Sequence, residues 1–225
     1  MPPVTYANVL RVILLTGERG AGKTSFCLKL ISRHRAAGLA CGGIVCPGIF
    51  APPADAGASS TGGEKLGCLA QDAASTPAAL PPSAQTDDEW ELGSRVTALD
   101  GSRWKQWTFS AIAFEKANRL ILASLERPAE LTLIDEIGPL ETELAVGFRP
   151  AWDALVSRCR LAGPGCRVEG CHLEPDGQGG EMLLESLTTA AGVPGRQANQ
   201  AKTVLVTVRP DLAERLASWL VQGCD

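Results

Sequence analysis

An α/β three-layer sandwich, with helices on both faces of a mostly parallel central sheet and a small antiparallel flap, is what the sequence predicts. Three observations predict it. Residues 9–15 (VLRVILL) form a short branched apolar run, followed at once by a glycine-rich turn and then by Phe26, Cys27, Leu30 and Ile31 at helical spacing. Residues 131–134 (LTLI) form a second apolar run that ends in Asp135-Glu136. Residues 203–208 (TVLVTV) form a third, followed by a helical pattern opened by Pro210. Short apolar runs alternating with amphipathic helices are the pattern of strands buried on both faces by crossover helices.

The turn after the first run is Gly17-Glu18-Arg19-Gly20-Ala21-Gly22-Lys23-Thr24-Ser25. It fits the phosphate-loop pattern G-x-x-x-x-G-K-[ST], with Gly17, Gly22, Lys23 and Thr24 at the fixed positions. Gly17, Gly20 and Gly22 let the backbone turn tightly and aim successive N–H groups inward, since glycine takes positive φ without penalty. Such a nest, backed by the positive end of the following helix, binds anions. Residues 17–25 are therefore predicted to bind the phosphates of a nucleoside triphosphate such as ATP or GTP. Lys23 is expected to reach the β- and γ-phosphates, and the Thr24 hydroxyl to ligate Mg²⁺.

Length and composition agree with one domain. The chain has 225 residues, is 45% hydrophobic and carries a formal net charge of −4, which leads to no expectation of nucleic acid or an anionic membrane as partner. No apolar run approaches the roughly 20 residues that cross a bilayer. The first residues, MPPVTYA, lack the basic-then-apolar layout of a signal peptide, so a cytoplasmic location is expected. Eight cysteines with no C-x-x-C pair then read as free thiols rather than a disulfide framework or a zinc motif.

The elements follow in order. The first helix runs from the loop to about Ala37, with Gly38 as its stop, and its His34 reads as a packed, hydrogen-bonded core residue. Residues 39–50 predict a strand with the pair Gly42-Gly43 at its start. Residues 51–63 are rich in Ala, Pro, Ser and Gly and read as an inserted loop. Residues 64–70 and the stretch around Trp104 to Phe109 read as extended pieces of the antiparallel flap. Residues 111–126 predict a helix on Ala113, Ala117, Leu120 and Ile121, ended by Pro128; residues 148–161 predict another on Trp152, Leu155, Val156 and Cys159. Residues 162–201, rich in Gly and Pro, read as a second inserted loop holding a short helix at 182–187.

A phosphate loop needs an acid to organise its metal. An apolar strand ending in Asp135 places a carboxylate at the carboxyl edge of the sheet, where the loop also lies. Asp135 is expected to serve Mg²⁺, directly or through water, and Glu136 to orient a water for in-line attack on the γ-phosphate. Residues 134–141 (IDEIGPLE) resemble the IDEIG-x-x-E signature of the small nucleoside-triphosphatase family, also called cancer-related nucleoside-triphosphatase. The Gly42-Gly43 strand is similar to that family's pattern too. The resemblance implies a RecA-like P-loop NTPase core that slowly hydrolyses ATP, GTP and other nucleoside triphosphates with Mg²⁺. It implies a sheet in which residues 203–208 lie between the loop strand and the Asp135 strand. Glu141 belongs to the signature, but no role for it follows from the residues.

The function expected is thus a Mg²⁺-dependent nucleoside-triphosphate phosphohydrolase, with Lys23 and Glu136 as catalytic residues. A nucleotide or small-molecule kinase shares the loop, but no compact Arg-rich lid is visible to shut out water. A regulatory NTPase adaptor in cofactor or metal assembly is the other reading, because the two insertions offer surface for a protein partner. Cys159, Cys166, Cys171 and His172 place thiols and an imidazole near one another, at spacings that match no familiar metal motif. Arg19 and Arg209 are the arginines nearest the expected γ-phosphate, and Thr207 is a candidate sensor of it.

Overall fold

The computed structural model describes residues 10–52, 63–75, 89–126, 129–174, 180–189 and 202–222. Its parallel half holds β1 (Leu10–Thr16), β2 (Cys41–Val45), β8 (Leu131–Ile137), β9 (Cys166–His172) and β10 (Lys202–Val208). The antiparallel half holds β3 (Gly48–Phe50), β4 (Lys65–Asp72), β5 (Glu89–Ser94), β6 (Arg103–Trp104) and β7 (Trp107–Phe109). All ten strands join one sheet in the order β6-β7-β5-β4-β2-β8-β10-β1-β9, with β3 paired to β4. The helices are α1 (Lys23–Ala36), α2 (Ala111–Glu126), α3 (Pro139–Thr142), α4 (Arg149–Ala162), α5 (Gly180–Thr189) and α6 (Ala213–Gln222).

The period-2 alternation of the strands sorts side chains into two cores. Leu10, Val12, Leu14, Ile134, Val204 and Val206 face the layer of α2, α4 and α6. Ile13, Leu15, Leu131, Leu133 and Leu205 face α1 and α5. Three layers result, in a P-loop NTPase-like α/β fold with β10 between β1 and β8. The pair Gly42-Gly43 permits close approach: a Cβ on Gly43, at φ +90°, would lie 2.1 Å from the Leu133 carbonyl oxygen.

Three local expectations change. Residues 39–50 form two strands rather than one; the break falls at Cys46-Pro47, where proline supplies no N–H to the ladder. The antiparallel pieces form a larger flap than expected, continuous with the sheet: β4 hydrogen-bonds to β2 and carries the others. Residues 162–201 are not all loop: β9 runs parallel to β1 from Leu10↔Cys166 to Thr16↔His172. Its sequence, CRVEGCH, lacks an apolar run because an edge strand has one neighbour and half-exposed faces. The helix expected at 182–187 is α5, longer at both ends. Of the loop expected at 51–63, residues 53–62 lie outside the described residues.

Candidate functional site

The carboxyl edge of the parallel half gathers the chemistry. β1 delivers its chain into the glycine loop, where Gly17, Gly20 and Gly22 have φ of 152°, 89° and 87°. The latter two lie in the left-handed region that side chains resist, so glycine is required there. Gly17 is buried, and a Cβ on it would lie 2.8 Å from the Leu173 carbonyl oxygen. Glu18, Arg19 and Gly20 are exposed at the loop's crest. Ala21, Gly22, Ser25 and Phe26 line one side of a small recess of about 130 Å³, with Leu173, Gly180 and Glu181 across from them.

Lys23 is buried, and its Nζ donates to the Gly17 carbonyl at 2.7 Å and the Glu18 carbonyl at 3.4 Å. The ammonium thus lies folded over the inside of the loop, satisfied by carbonyl oxygens at its rim. Arg19, on the crest, stays in solvent.

The register of β8 and β10 explains the next contacts. Val206 pairs with Ile134, so Thr207 and Asp135 come next on the adjoining strands, both on the α1 face. Asp135 is 1% exposed and accepts three hydrogen bonds. The Thr24 hydroxyl donates to Oδ2 at 3.0 Å, the Cys46 N–H donates to Oδ2 at 3.0 Å, and the Thr207 hydroxyl donates to Oδ1. One carboxylate therefore ties together the start of α1, the end of β2 and the end of β10. Burial of a carboxylate is tolerated only with this kind of satisfaction. Thr207 spends its proton on Asp135, which makes it a partner of that acid rather than a free sensor.

Glu136 follows Asp135 through a cis peptide bond and is exposed where Asp135 is buried. The protein crowding around it pushes its pKa up, and the Asp135 charge pushes the same way; Lys23, Lys65 and Arg209 pull it back. Arg209 is held by Asp211 through two contacts of 3.0 Å. Glu141, left without a role by the sequence, has one in the structure. It is 2% exposed; its Oε2 accepts the Gly138 N–H and its Oε1 the Phe148 N–H, each at 2.8 Å. It clamps the turn that leaves β8 to the start of α4. Burial pushes its pKa up to about 7 against those two N–H groups.

Thr24 and Asp135 present a hydroxyl and a carboxylate to one point, and hard oxygen donors suit Mg²⁺. The thiol cluster does not assemble. Cys159 and Cys166 meet on the α4 side of the sheet, whereas Cys171 packs on the α1 side. Among the described residues no three His, Cys, Asp or Glu side chains group as metal ligands. His172 instead contacts the Thr16 hydroxyl through Nδ1 at 2.8 Å. His34 is buried, with its Nδ1 3.2 Å from the Leu30 carbonyl, and burial lowers its pKa.

Sequence reasoning missed the Cys46 N–H, Leu173 and Lys65. Thr207 had a signal: it is the polar residue next to the end of an apolar strand, on the face shared with Asp135.

The chain matches no family model and no curated protein. Among solved structures, that of THEP1 from the hyperthermophile Aquifex aeolicus is similar over 93% of this chain and 95% of that one, at 16% identity and a TM-score of 0.44. The fold assignment made above rests on the strand order and the loop geometry. No helix among the described residues is long and apolar enough to cross a membrane.

Proposed function

We propose that the chain is a Mg²⁺-dependent nucleoside-triphosphate phosphohydrolase that cleaves the β–γ bond of ATP, GTP and related nucleotides. The observation that carries the reading is the hydrogen bond between Thr24 and Asp135, which joins the glycine loop to the acid strand at one point. The loop N–H groups of residues 17–25 bind the β-phosphate, and Lys23 exchanges its carbonyl partners for phosphate oxygens. Thr24 and Asp135 hold Mg²⁺, which when bound neutralises charge on the β- and γ-phosphates. Asp135 stays oriented because Thr207 and Cys46 fix both its oxygens. Glu136 orients the attacking water, and its raised pKa makes its carboxylate a stronger acceptor for that water's proton.

The nucleoside lies on the other side of the loop, toward the recess beside Leu173 and Glu181. The family resemblance of residues 134–141 points to the same activity, and the buried free thiols suit a cytoplasmic setting.

Phosphate release from ATP, GTP, CTP and UTP tests the reading. The parent should turn over slowly, and chelation of Mg²⁺ should abolish release. Glu136→Gln should lower kcat by about 10²-fold or more while nucleotide binding persists. A parent that converts ATP to ADP only when a small-molecule acceptor is added, with the phosphoryl group on the acceptor and none free, would instead make the protein a kinase.

A further inference from the structure

Lys65 enters from the antiparallel half and has no part in the loop or the acid pair. β4 pairs with the end of β2 through Ile44↔Asp72 and Val45↔Gln71. Because the two strands are antiparallel, residues 65–70 of β4 continue past the carboxyl edge of the parallel half. They overhang the edge where Asp135 and the glycine loop lie. β3 covers this overhang through Gly48↔Cys68 and Phe50↔Lys65. Gly48 follows two residues after Cys46, whose N–H binds Asp135. A Cβ on Gly48 would lie 3.1 Å from Lys65 Cε, so the lysine stem rests directly on that turn.

The backbone of Lys65 is pinned: its carbonyl accepts from Arg95 Nη1 at 3.1 Å, and Arg95 pairs with Glu64 at 2.7 Å. Its ammonium is not. Nζ lies 5.9 Å from the centroid of the Trp107 ring, at the outer limit of a cation–π contact. No carboxylate among the described residues pairs with it within 4 Å. Arg209 is occupied by Asp211. The lysine stem therefore lies on the turn that follows Cys46, whose N–H binds Asp135, and its charge is among those that act on Glu136.

We propose that Lys65 is the cation this chain supplies from its own overhang to the γ-phosphate. The assignment rests on the hydrolase reading given above. In the reaction a water oxygen bonds to the γ-phosphorus as the bond from that phosphorus to the β–γ bridging oxygen breaks. The water's proton passes by way of Glu136 to solvent, and the nucleoside diphosphate and inorganic phosphate leave. Charge on the γ-phosphate oxygens shifts in the transition state, and an ammonium brought against them stabilises it. Lysine at this position meets phosphate as a point charge on a supported stem.

The test compares Lys65→Ala, Lys65→Arg and Lys116→Ala in the full chain. Lys116 is a matched control, an ammonium 3.7 Å from the Trp90 ring centroid on exposed α2 surface. Lys65→Ala should lower kcat about 100-fold with KM for ATP little changed, as loss of one charge-stabilising donor does. Lys65→Arg should recover much of that loss, and Lys116→Ala should match the parent. Binding of ADP with aluminium fluoride should weaken in Lys65→Ala while binding of ADP alone does not. If Lys65→Ala hydrolyses ATP as the parent does, or loses rate and melting temperature together with no rescue by Arg, the assignment of Lys65 is overturned. If the parent itself releases no phosphate, the hydrolase reading falls instead, and the aluminium fluoride comparison still judges whether Lys65 meets the γ-phosphate position.

Discussion

The two halves of the one sheet are built differently. In the parallel half, β2, β8, β10 and β1 are largely buried on both faces, and their carboxyl ends carry the buried polar residues Thr16, Asp135 and Thr207. In the antiparallel half, the strands other than β4 are short and mostly half-buried, and the contacts include aromatic rings with one another and with lysines: Trp107 on Phe109, Lys65 over Trp107, Lys116 over Trp90. The first half holds its acids by hydrogen bonds between strands that packing has fixed. The second holds a charge on a flexible stem over ring faces.

Core substitution in the parallel half should show the largest effect. Trp152 on α4 is 0% exposed, so Trp152→Ala should lower unfolding free energy by about 4 kcal/mol in a urea titration, for the chain as a unit. If the antiparallel half unfolds separately in that titration, the two halves are less coupled than the shared ladder between β2 and β4 implies.

Next comes the clamp after β8. Glu141→Gln puts an NH₂ against one of two buried N–H groups and should cost about 1–3 kcal/mol. It also has a pH signature. A carboxyl whose folded pKa is raised to about 7 from 4.5 binds its proton more tightly when folded. Its contribution to stability is therefore full below the unfolded pKa and is lost as pH rises toward 7. Glu141→Gln should flatten that part of the stability–pH curve, and an unchanged slope would assign it to another group.

The smallest effect should come from the antiparallel half. Trp107 is partly exposed, and Trp107→Ala should cost about 1 kcal/mol, seen as a small shift of the urea midpoint. A loss equal to that of Trp152→Ala would erase the contrast between the halves.

That contrast also explains what the sequence revealed. Residues 10–16, 131–135 and 203–208 announce themselves as strands because both faces are largely buried and most of their residues are apolar up to the edge. The glycine loop announces itself because its backbone admits few residue types. β9 stayed hidden because an edge strand carries Arg167, Glu169 and His172 at no cost, and Glu169 even pairs with Arg11 at 2.8 Å. Lys65 stayed hidden because nothing local marks it: its position depends on how far β4 runs past β2. Glu141 was visible as a letter in a pattern, but its partners, Gly138 and Phe148, become meaningful only once the turn is closed.

The contact between Gly17 and Leu173 joins the least protected strand of the sheet to its most constrained turn. Fraying of a sheet begins at its rim, where a strand has one neighbour to hold it. Here the rim ends against the first residue of the glycine loop. Under the proposed function, amide exchange along residues 166–172 should slow when nucleotide is present.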